Sequence, residues 1–382
     1  MVNVITIEEL KKYIRNNEEE KLEEVDIVTS ATCGIMSGTA GIFHIPFNET
    51  FKRAEEIYLN DIKGTVGICP NEFLGKVDAI FYGEVGFLFK DLVKGKSFEA
   101  KAICEGKIYK NEIKLEDLPT AKMLGTRMAF KNYTAITNTS DNKINTIFHR
   151  LPIKKGEASF SGCGMFNPLE NMNIKNEKDI IGKKALLNGA EGLILGFGTR
   201  SSIDKPNLMI SADMKEMDPY YLGGFITSNG VEIYNTIAIP IYVKNHINAL
   251  KKLDKDIALP LVNIFGREII DIGNYAEVWE NVDLRPKIKQ ENCKNCNNCI
   301  AEENCPTLAI KRENGKIKIT EDCFGCGVCN ICPYNVFETK LGSICGIPIT
   351  CRQSDRKRAL KLANDLKDRI LKGNFKLNLP TE

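Results

Sequence analysis

Apolar and polar residues alternate over several short stretches of the chain, in the pattern typical of half-buried β-strands. These stretches cover residues 78–83, 98–104, 192–198, 207–213 and 236–243. Between them, apolar residues recur at helical spacing over residues 87–95. Strands that alternate with short helices and glycine-rich loops predict an α/β or α+β fold for the main body of the protein.

Two helices are predicted near the ends of the chain. Thr6 and Glu9 form the pattern of a capping box, and Leu10 follows at helical spacing. Ser354 is the predicted N-cap of a final helix. The apolar face of that helix contains Leu360, Leu362, Ala363, Leu366 and Ile370. We expect this face to pack back onto the protein.

Cysteines give the strongest chemical signal, because eight of the 14 lie between Cys293 and Cys332. They form two runs, each with three cysteines separated by two residues and a more distant cysteine before a proline. In bacterial two-cluster ferredoxins the distant cysteine binds the other cluster. The pattern predicts two 4Fe-4S clusters, one bound by Cys293, Cys296, Cys299 and Cys332, and the other by Cys323, Cys326, Cys329 and Cys305.

Both runs depart from the standard gap of three residues before the last cysteine. The first run has five residues there, Ile300 to Asn304, and the second has two, Asn330 and Ile331. Pairs of cysteines two residues apart also form structural zinc sites. Zinc, or one labile or three-iron cluster, therefore stays open as an alternative at this point.

Length and composition predict how the protein is organised. The 382 residues exceed one typical domain. We predict a main domain over residues 1–285, a ferredoxin-type domain over 286–340 and a helical tail over 341–382. With 52 basic and 50 acidic side chains, the charge of +2 indicates no nucleic-acid partner. The charged start and the lack of a long apolar run predict a cytoplasmic protein without membrane spans.

Two further cysteines are candidate catalytic residues. Cys33 follows a predicted strand and precedes Gly34, so its thiol is expected beside backbone N–H groups that stabilise a thiolate. Cys163 lies between two glycines, where little side-chain bulk blocks a ligand. The alternative for each is a small buried hydrophobic residue.

Two arginines are candidate substrate-binding residues. The tripeptide Gly-Thr-Arg occurs twice and ends at Arg127 and at Arg200. An arginine after a glycine turn is suited to bind both oxygens of a carboxylate. The alternative is a solvated surface arginine.

Three glycine-rich segments and the cysteine runs together resemble the methanogenesis marker protein 16 family. The segments are ATCGIMSGTAGIF at 31–43, LGTRMAFKNYTAITN at 124–138 and SGCGMFNPLEN at 161–171. This archaeal family is similar to the homocysteine-biosynthesis proteins, the L-aspartate semialdehyde sulfurtransferases. The resemblance spans nearly the whole chain.

The resemblance implies an enzyme that delivers sulfide sulfur, through a cysteine persulfide, to the aldehyde carbon of aspartate semialdehyde. Its partners are then a small aldehyde, sulfide and a low-potential electron donor. In the sulfurtransferases a persulfide cysteine follows the Gly-Thr pair, whereas this chain has Arg127 and Met128 there. The carrier is then expected to be Cys33 or Cys163. The alternative is a non-catalytic electron-transfer or assembly protein linked to methanogenesis.

Overall fold

Antiparallel pairing dominates the β-structure of this protein. The computed structural model describes residues 2–67, 75–128, 134–161, 180–198, 207–280 and 284–377. Its strands are β1 (Val4–Thr6), β2 (Ile27–Ile35), β3 (Thr39–Pro46), β4 (Glu56–Leu59), β5 (Ile62–Val66), β6 (Lys76–Tyr82), β7 (Phe98–Cys104), β8 (Lys107–Ile113), β9 (Ala121–Met128), β10 (Thr134–Thr137), β11 (Ala158–Ser161), β12 (Lys184–Leu187), β13 (Ala190–Phe197), β14 (Leu208–Asp213), β15 (Gly223–Thr227), β16 (Gly230–Tyr242), β17 (Ala258–Asn263), β18 (Ile269–Asn274), β19 (Lys287–Ile288), β20 (Ile310–Glu313), β21 (Lys316–Ile319), β22 (Phe337–Glu338), β23 (Ser343–Ile344) and β24 (Ile347–Arg352).

Helices are few and mostly short. They are α1 (Ile7–Arg15), α2 (Gly86–Val93), α3 (Val243–Leu250), α4 (Tyr275–Trp279), α5 (Ile300–Glu303) and α6 (Arg356–Leu371). In the described residues, no helix is long and apolar enough to cross a membrane. The protein is therefore a mixed α and β structure with large sheets, as the strand patterns predicted.

Within the described residues the strands form two large sheets. The larger has the order β1-β2-β16-β12-β13-β14-β9-β3-β6-β5-β4-β7-β8, with β15 paired to β16. The smaller has the order β18-β17-β10-β11-β24-β23. Two short ladders, β19 with β22 and β20 with β21, belong to the cysteine-rich region. The smaller sheet thus brings β24, the strand that precedes α6, beside β11.

The predicted strands at 78–83, 98–104, 192–198 and 207–213 are confirmed as β6, β7, β13 and β14. The fifth, at 236–243, is the second half of the longer strand β16. The predicted helix at 87–95 is confirmed as α2. Alternating exposure along β6 shows why the pattern was informative, since one face is buried and the other is solvated.

The two terminal helices pack as predicted, with one correction. Thr6 forms the capping box of α1 with Glu9. The N-cap of α6 is Asp355 rather than Ser354, because the Asp355 carboxylate accepts hydrogen bonds from the backbone N–H groups of Lys357 and Arg358. The apolar face of α6 is buried against β2 and β16. This packing places Arg358, in the first turn of α6, in the interior.

The glycine-rich segment after residue 31 differs from the prediction. We expected a strand to end before Cys33, but β2 continues to Ile35 because β16 pairs with it along its whole length. In that ladder Cys33 lies opposite Thr236. The turn is only three residues long and ends at Gly38, whose φ of +93° suits glycine. Cys33 is therefore inside a central strand and not at a strand end.

Candidate active site

Four cysteines of the first predicted set surround one cavity. The cavity measures about 250 Å³, and its lining includes Cys293, Cys296, Cys299 and Cys332. A water molecule occupies roughly 30 Å³ in the liquid, so the space suits a much larger group. Cys332 belongs to the second run of cysteines, so the two runs contribute to one cavity in the arrangement expected for exchanged ligands.

The second predicted set is also grouped in space. Cys305, Cys323, Cys326 and Cys329 interact electrostatically with one another, and burial is the largest cause that raises the pKa values of Cys323, Cys326 and Cys329. Thiolates packed this closely repel one another. A positively charged group among them is the natural way to relieve this repulsion.

Backbone geometry supports the second group. Ala309 donates its N–H to the Cys305 sulfur at 3.2 Å, and Gly325 donates to the Cys323 sulfur at 3.4 Å. Gly325 and Gly327 have φ values of +67° and +84°, and a Cβ on Gly325 would overlap the backbone of Leu284. The two residues between successive cysteines therefore form a tight loop, and only glycine fits at position 325.

Among the described residues, no group of three or more His, Cys, Asp or Glu side chains is arranged to hold a single metal ion.

The second cysteine group is in contact with the main body. The Phe324 ring lies 4.3 Å from the Tyr234 ring and 5.8 Å from the Phe225 ring, measured between centroids. Ile226 also donates its N–H to the Pro306 carbonyl at 3.0 Å, directly after Cys305. The hairpin formed by β15 and β16 is thus in contact with the second cysteine group.

A buried arginine joins the cysteine loop, the body and α6. Arg358 donates to the Tyr220 carbonyl at 2.7 Å, to the Glu321 carbonyl at 2.6 Å and to the Asp355 carboxylate at 2.5 Å. Burial lowers the pKa of Arg358, but its electrostatic interactions with Tyr234 and Asp355 outweigh the effect of burial, and the net shift of the pKa is upward. The guanidinium is therefore a permanently charged clamp beside the loop that carries Cys323.

Cys33 is fully buried on β2, opposite Thr236 of β16. Its sulfur accepts a hydrogen bond from the Thr236 hydroxyl at 3.0 Å, and its side chain has no exposed surface. The backbone carbonyl of Cys33 accepts the N–H of Asp355. We had expected an accessible thiol beside free N–H groups, and the structure places it instead in the core between β2 and β16. In this conformation it is not reachable by a dissolved substrate.

Arg127 lies on β9 at the edge of a half-buried region. It donates to the Ser37 hydroxyl at 3.1 Å, while its Nε is buried without a hydrogen-bond partner among the described residues. The turn that holds Ser37 is fixed to the body because Met36 donates its N–H to the Ile233 carbonyl at 2.9 Å. Arg127 is therefore held near β16, and its Nε remains available to donate a hydrogen bond.

Gly198, the first residue of the second Gly-Thr-Arg copy, lies against the first copy. A Cβ added to Gly198 would lie 1.9 Å from the Thr126 carbonyl oxygen, so the backbone of Gly198 is in close contact with that of Thr126. Arg200 and Cys163, two of the predicted site residues, lie outside the described residues. Of the predicted substrate-binding and catalytic residues, Arg127 and Cys33 are the ones the structure locates.

Sequence reasoning missed three residues, two near Arg127 and one beside the second cysteine group. Arg267 lies 4.7 Å over the Phe148 ring and close enough to Arg127 for the two charges to repel. Glu232, on β16, interacts electrostatically with Arg127. Cys351 is a buried thiol beside Cys326, and burial raises its pKa to about 12. Each of these residues lies in a strand or turn that contains no recognisable motif, so the spacing of residues in the sequence did not indicate a function for it.

The side chain of Met128 is buried and folds back over Gly125, where a Cβ would lie 1.5 Å from the Met128 methyl carbon. The position at which the sulfurtransferases were expected to carry a cysteine is therefore part of the core here. Sulfur chemistry at this position is excluded, because a thioether cannot hold a persulfide.

Comparisons with known proteins agree with the resemblance drawn from the sequence. Residues 2–377 match the family described as "Homocysteine biosynthesis enzyme, sulfur-incorporation". An uncharacterised protein of Methanocaldococcus jannaschii is 83% identical over 376 residues, covering 98% of this chain and 99% of that protein. Another, from Methanothermobacter thermautotrophicus, is 42% identical over 395 residues, covering 97% and 90%.

A relative with a named activity aligns along the whole chain. The L-aspartate semialdehyde sulfurtransferase of Methanosarcina acetivorans is 27% identical over 397 residues, covering 100% of this chain and 69% of that protein. No solved structure matches this chain.

Proposed function

Because the chain belongs to the family of sulfur-incorporating homocysteine biosynthesis enzymes, we propose that it is an iron-sulfur sulfurtransferase that converts L-aspartate semialdehyde to L-homocysteine. The observation that carries the proposal is the contact between the second cysteine group and the hairpin that also borders Arg127. A carboxylate-binding residue and a candidate redox group thus share one region of the protein.

The proposed net reaction is balanced in atoms and electrons. The aldehyde, hydrogen sulfide, two electrons and two protons give the thiol and water. The C–O bond of the aldehyde breaks, a C–S bond forms, and the oxygen leaves in water. The carbon is reduced, so an external low-potential donor must supply the electron pair.

Two 4Fe-4S clusters fit the cysteine sets described above. Cys293, Cys296, Cys299 and Cys332 would bind one cluster, and the other would be bound by Cys305, Cys323, Cys326 and Cys329. Four soft thiolate donors around each site suit iron-sulfur clusters. When bound, the clusters supply electrons one at a time. The surrounding N–H groups and the buried Phe324 loop would stabilise the cluster charge and limit its contact with water.

The substrate carboxylate would bind at Arg127, whose unpaired Nε leaves a donor available. The sulfur carrier is a separate choice between Cys33 and Cys163. Loading its thiol with sulfide as a persulfide would release two electrons and two protons to the proposed clusters and their external redox partner, and transfer of that sulfur to the aldehyde would take up four electrons and four protons, so the net reaction consumes the two electrons stated above. Since Cys33 has no exposed surface, Cys163 is the first residue to test. Cys33 serves as the matched comparison, because both are cysteines beside glycine in the sequence.

An anaerobic turnover assay tests the activity. Reconstituted protein is incubated with L-aspartate semialdehyde, sulfide and a low-potential reductant, and homocysteine is followed by mass spectrometry. We expect product from the wild type, loss in Cys163→Ser and in Arg127→Ala, and retention in Cys33→Ser. No product from protein with full iron content would contradict the sulfurtransferase and favour the electron-transfer or assembly role.

A separate experiment tests the clusters. Iron and acid-labile sulfide are measured in Cys332→Ser, Cys305→Ser and, as the control, Cys351→Ser. We expect the first two variants each to lose about half of the iron, and Cys351→Ser to keep all of it. Stoichiometric zinc in the purified protein, with no cluster after reconstitution, would refute the iron-sulfur assignment.

A further inference from the structure

Arg352 is a buried cation without a counterion. Its side chain has no exposed surface. Nη2 donates to the Val278 carbonyl at 2.6 Å and to the Leu341 carbonyl at 3.2 Å, while Nε and Nη1 have no hydrogen-bond partner among the described residues. The guanidinium carbon lies 4.2 Å from the centre of the Trp279 ring. These neutral contacts orient the guanidinium, but none of them is an anion that balances its charge.

The buried carboxylates near the start of α6 are already paired with other cations. Asp254 forms an ion pair with Arg356, and Asp355 forms one with Arg358. In the part of the chain that the structure describes, Arg352 forms no ion pair with a carboxylate. Burial lowers the pKa of Arg352 to about 9, so the guanidinium stays charged at neutral pH. An unpaired buried cation costs free energy, so a negative group is expected beside it.

Two contacts tie Arg352 to the loop of the second cysteine group. Its backbone N–H donates to the Cys326 carbonyl at 3.0 Å. Leu341, whose carbonyl binds the guanidinium, packs on the same loop, because a Cβ on Gly327 would lie 2.2 Å from the Leu341 Cδ1. An arginine side chain reaches about 7 Å from its own backbone nitrogen, so the guanidinium lies within about 10 Å of the Cys326 carbonyl oxygen. The unpaired charge is therefore held close to this group of cysteines.

The second cysteine group is the candidate for the missing negative charge. The thiol of Cys351, the residue before Arg352, is neutral at neutral pH, because burial raises its pKa to about 12. A 4Fe-4S cluster with four thiolate ligands carries a net negative charge, which increases by one unit when the cluster takes up an electron. A fixed cation nearby therefore favours the reduced cluster over the oxidised one.

We propose that Arg352 is the counterion of the cluster held by the second cysteine group and that it raises the reduction potential of this cluster. The inference rests on the two clusters of the proposed function and gives a role to a residue outside their ligands. The electron comes from the external low-potential donor, and no bond to Arg352 forms or breaks. Arg352 is not a catalytic residue, because it acts on the reaction only through the cluster. At an effective dielectric constant of about 20, unit charges about 12 Å apart change an equilibrium constant by about tenfold.

Reduction potentials test this role. Iron content and the two midpoint potentials are measured on the reconstituted full-length protein by anaerobic titration, followed by electron paramagnetic resonance. We expect Arg352→Gln to lower one potential by about 59 mV, which is a tenfold change in the equilibrium constant of one-electron reduction. The other potential should stay within about twofold of its wild-type equilibrium constant, since it belongs to the more distant cluster. Arg352→Lys keeps the charge and should keep both potentials within the same limit.

The matched control is an arginine on the first cysteine loop that already has a counterion. Arg312 donates to the Cys296 carbonyl at 2.5 Å and forms an ion pair with Glu302 at 2.9 Å, and both charged side chains are about one-third exposed. Arg312→Gln should therefore change neither equilibrium constant by more than about twofold. Arg352→Met keeps the apolar stem against Trp279, so it should lower the potential in the same way if Arg352→Gln loses iron.

The results separate this inference from the proposed function. Two intact clusters with the same potentials in the wild type, Arg352→Gln and Arg352→Met would overturn the inference alone. Equal shifts in Arg352→Gln and Arg352→Lys would also overturn it, because lost packing and not lost charge would then be the cause. Wild-type protein without a cluster at the second cysteine group would overturn both. A shift confined to the variants without the charge, in a protein that forms no homocysteine, would support the inference and refute the sulfurtransferase.

Discussion

Replacing Arg358 by methionine should loosen the cysteine loop from the body. Methionine keeps much of the apolar stem but removes the guanidinium that contacts Tyr220, Glu321 and Asp355. Asp355 is only 5% exposed, so its carboxylate would lose its cation in the interior. Removing one partner of such a buried pair costs about 3–5 kcal/mol.

The matched control is the same substitution on the exposed side of the same helix. Arg369 forms an ion pair with Asp365 one turn away, at 2.9 Å, and both side chains are about one-third exposed. Exposed pairs of this kind contribute about 0.3–0.5 kcal/mol. Arg369→Met should therefore have little effect on stability.

Native-state hydrogen exchange is the appropriate assay, because it resolves local opening in a protein whose bound groups complicate global unfolding. We expect Arg358→Met to reduce the protection of residues 320–326 and of the first turns of α6 by about 3–5 kcal/mol. Equal protection in the two variants, within about 0.5 kcal/mol, would refute the clamp described for Arg358.

Three other predictions concern stability, its dependence on pH, and iron content. Asp254→Ala should cost about 3–5 kcal/mol, because it leaves the fully buried Lys11 without its carboxylate, and a urea midpoint measures the loss. Burial lowers the pKa of His149 below its ordinary value of 6.5, so near that pH the folded state binds fewer protons than the unfolded state. The free energy of unfolding should therefore fall as pH drops below about 6.5. His149→Gln should reduce this pH dependence of unfolding. Gly325→Ala should reduce the iron content, because the added Cβ would overlap the backbone of Leu284. Gly346→Ala should keep the iron content, because Gly346 has a similar φ but open space around the added Cβ.

Local patterns were enough to predict several elements, among them β6, β7, α1 and α2. The Thr6 capping box depends on residues three positions apart, and the alternation along β6 reports its own burial, so both were correct. The cysteine spacing likewise predicted which thiols line the first cavity, because the tight loops and the distant cysteine are local features of the chain. Iron binding itself stays a prediction.

Tertiary structure decided what distant segments bring together. Cys33 followed the expected strand signal, but pairing with β16 extended that strand and buried the thiol, which no local pattern reports. Arg127 lies near β16 because it donates a hydrogen bond to Ser37 and the neighbouring Met36 N–H binds the Ile233 carbonyl of β16. Cys351 likewise lies beside Cys326 because the fold brings together segments that are not adjacent in the sequence. Such contacts depend on strand order, and strand order is set by packing over the whole chain, not by the residues of one segment.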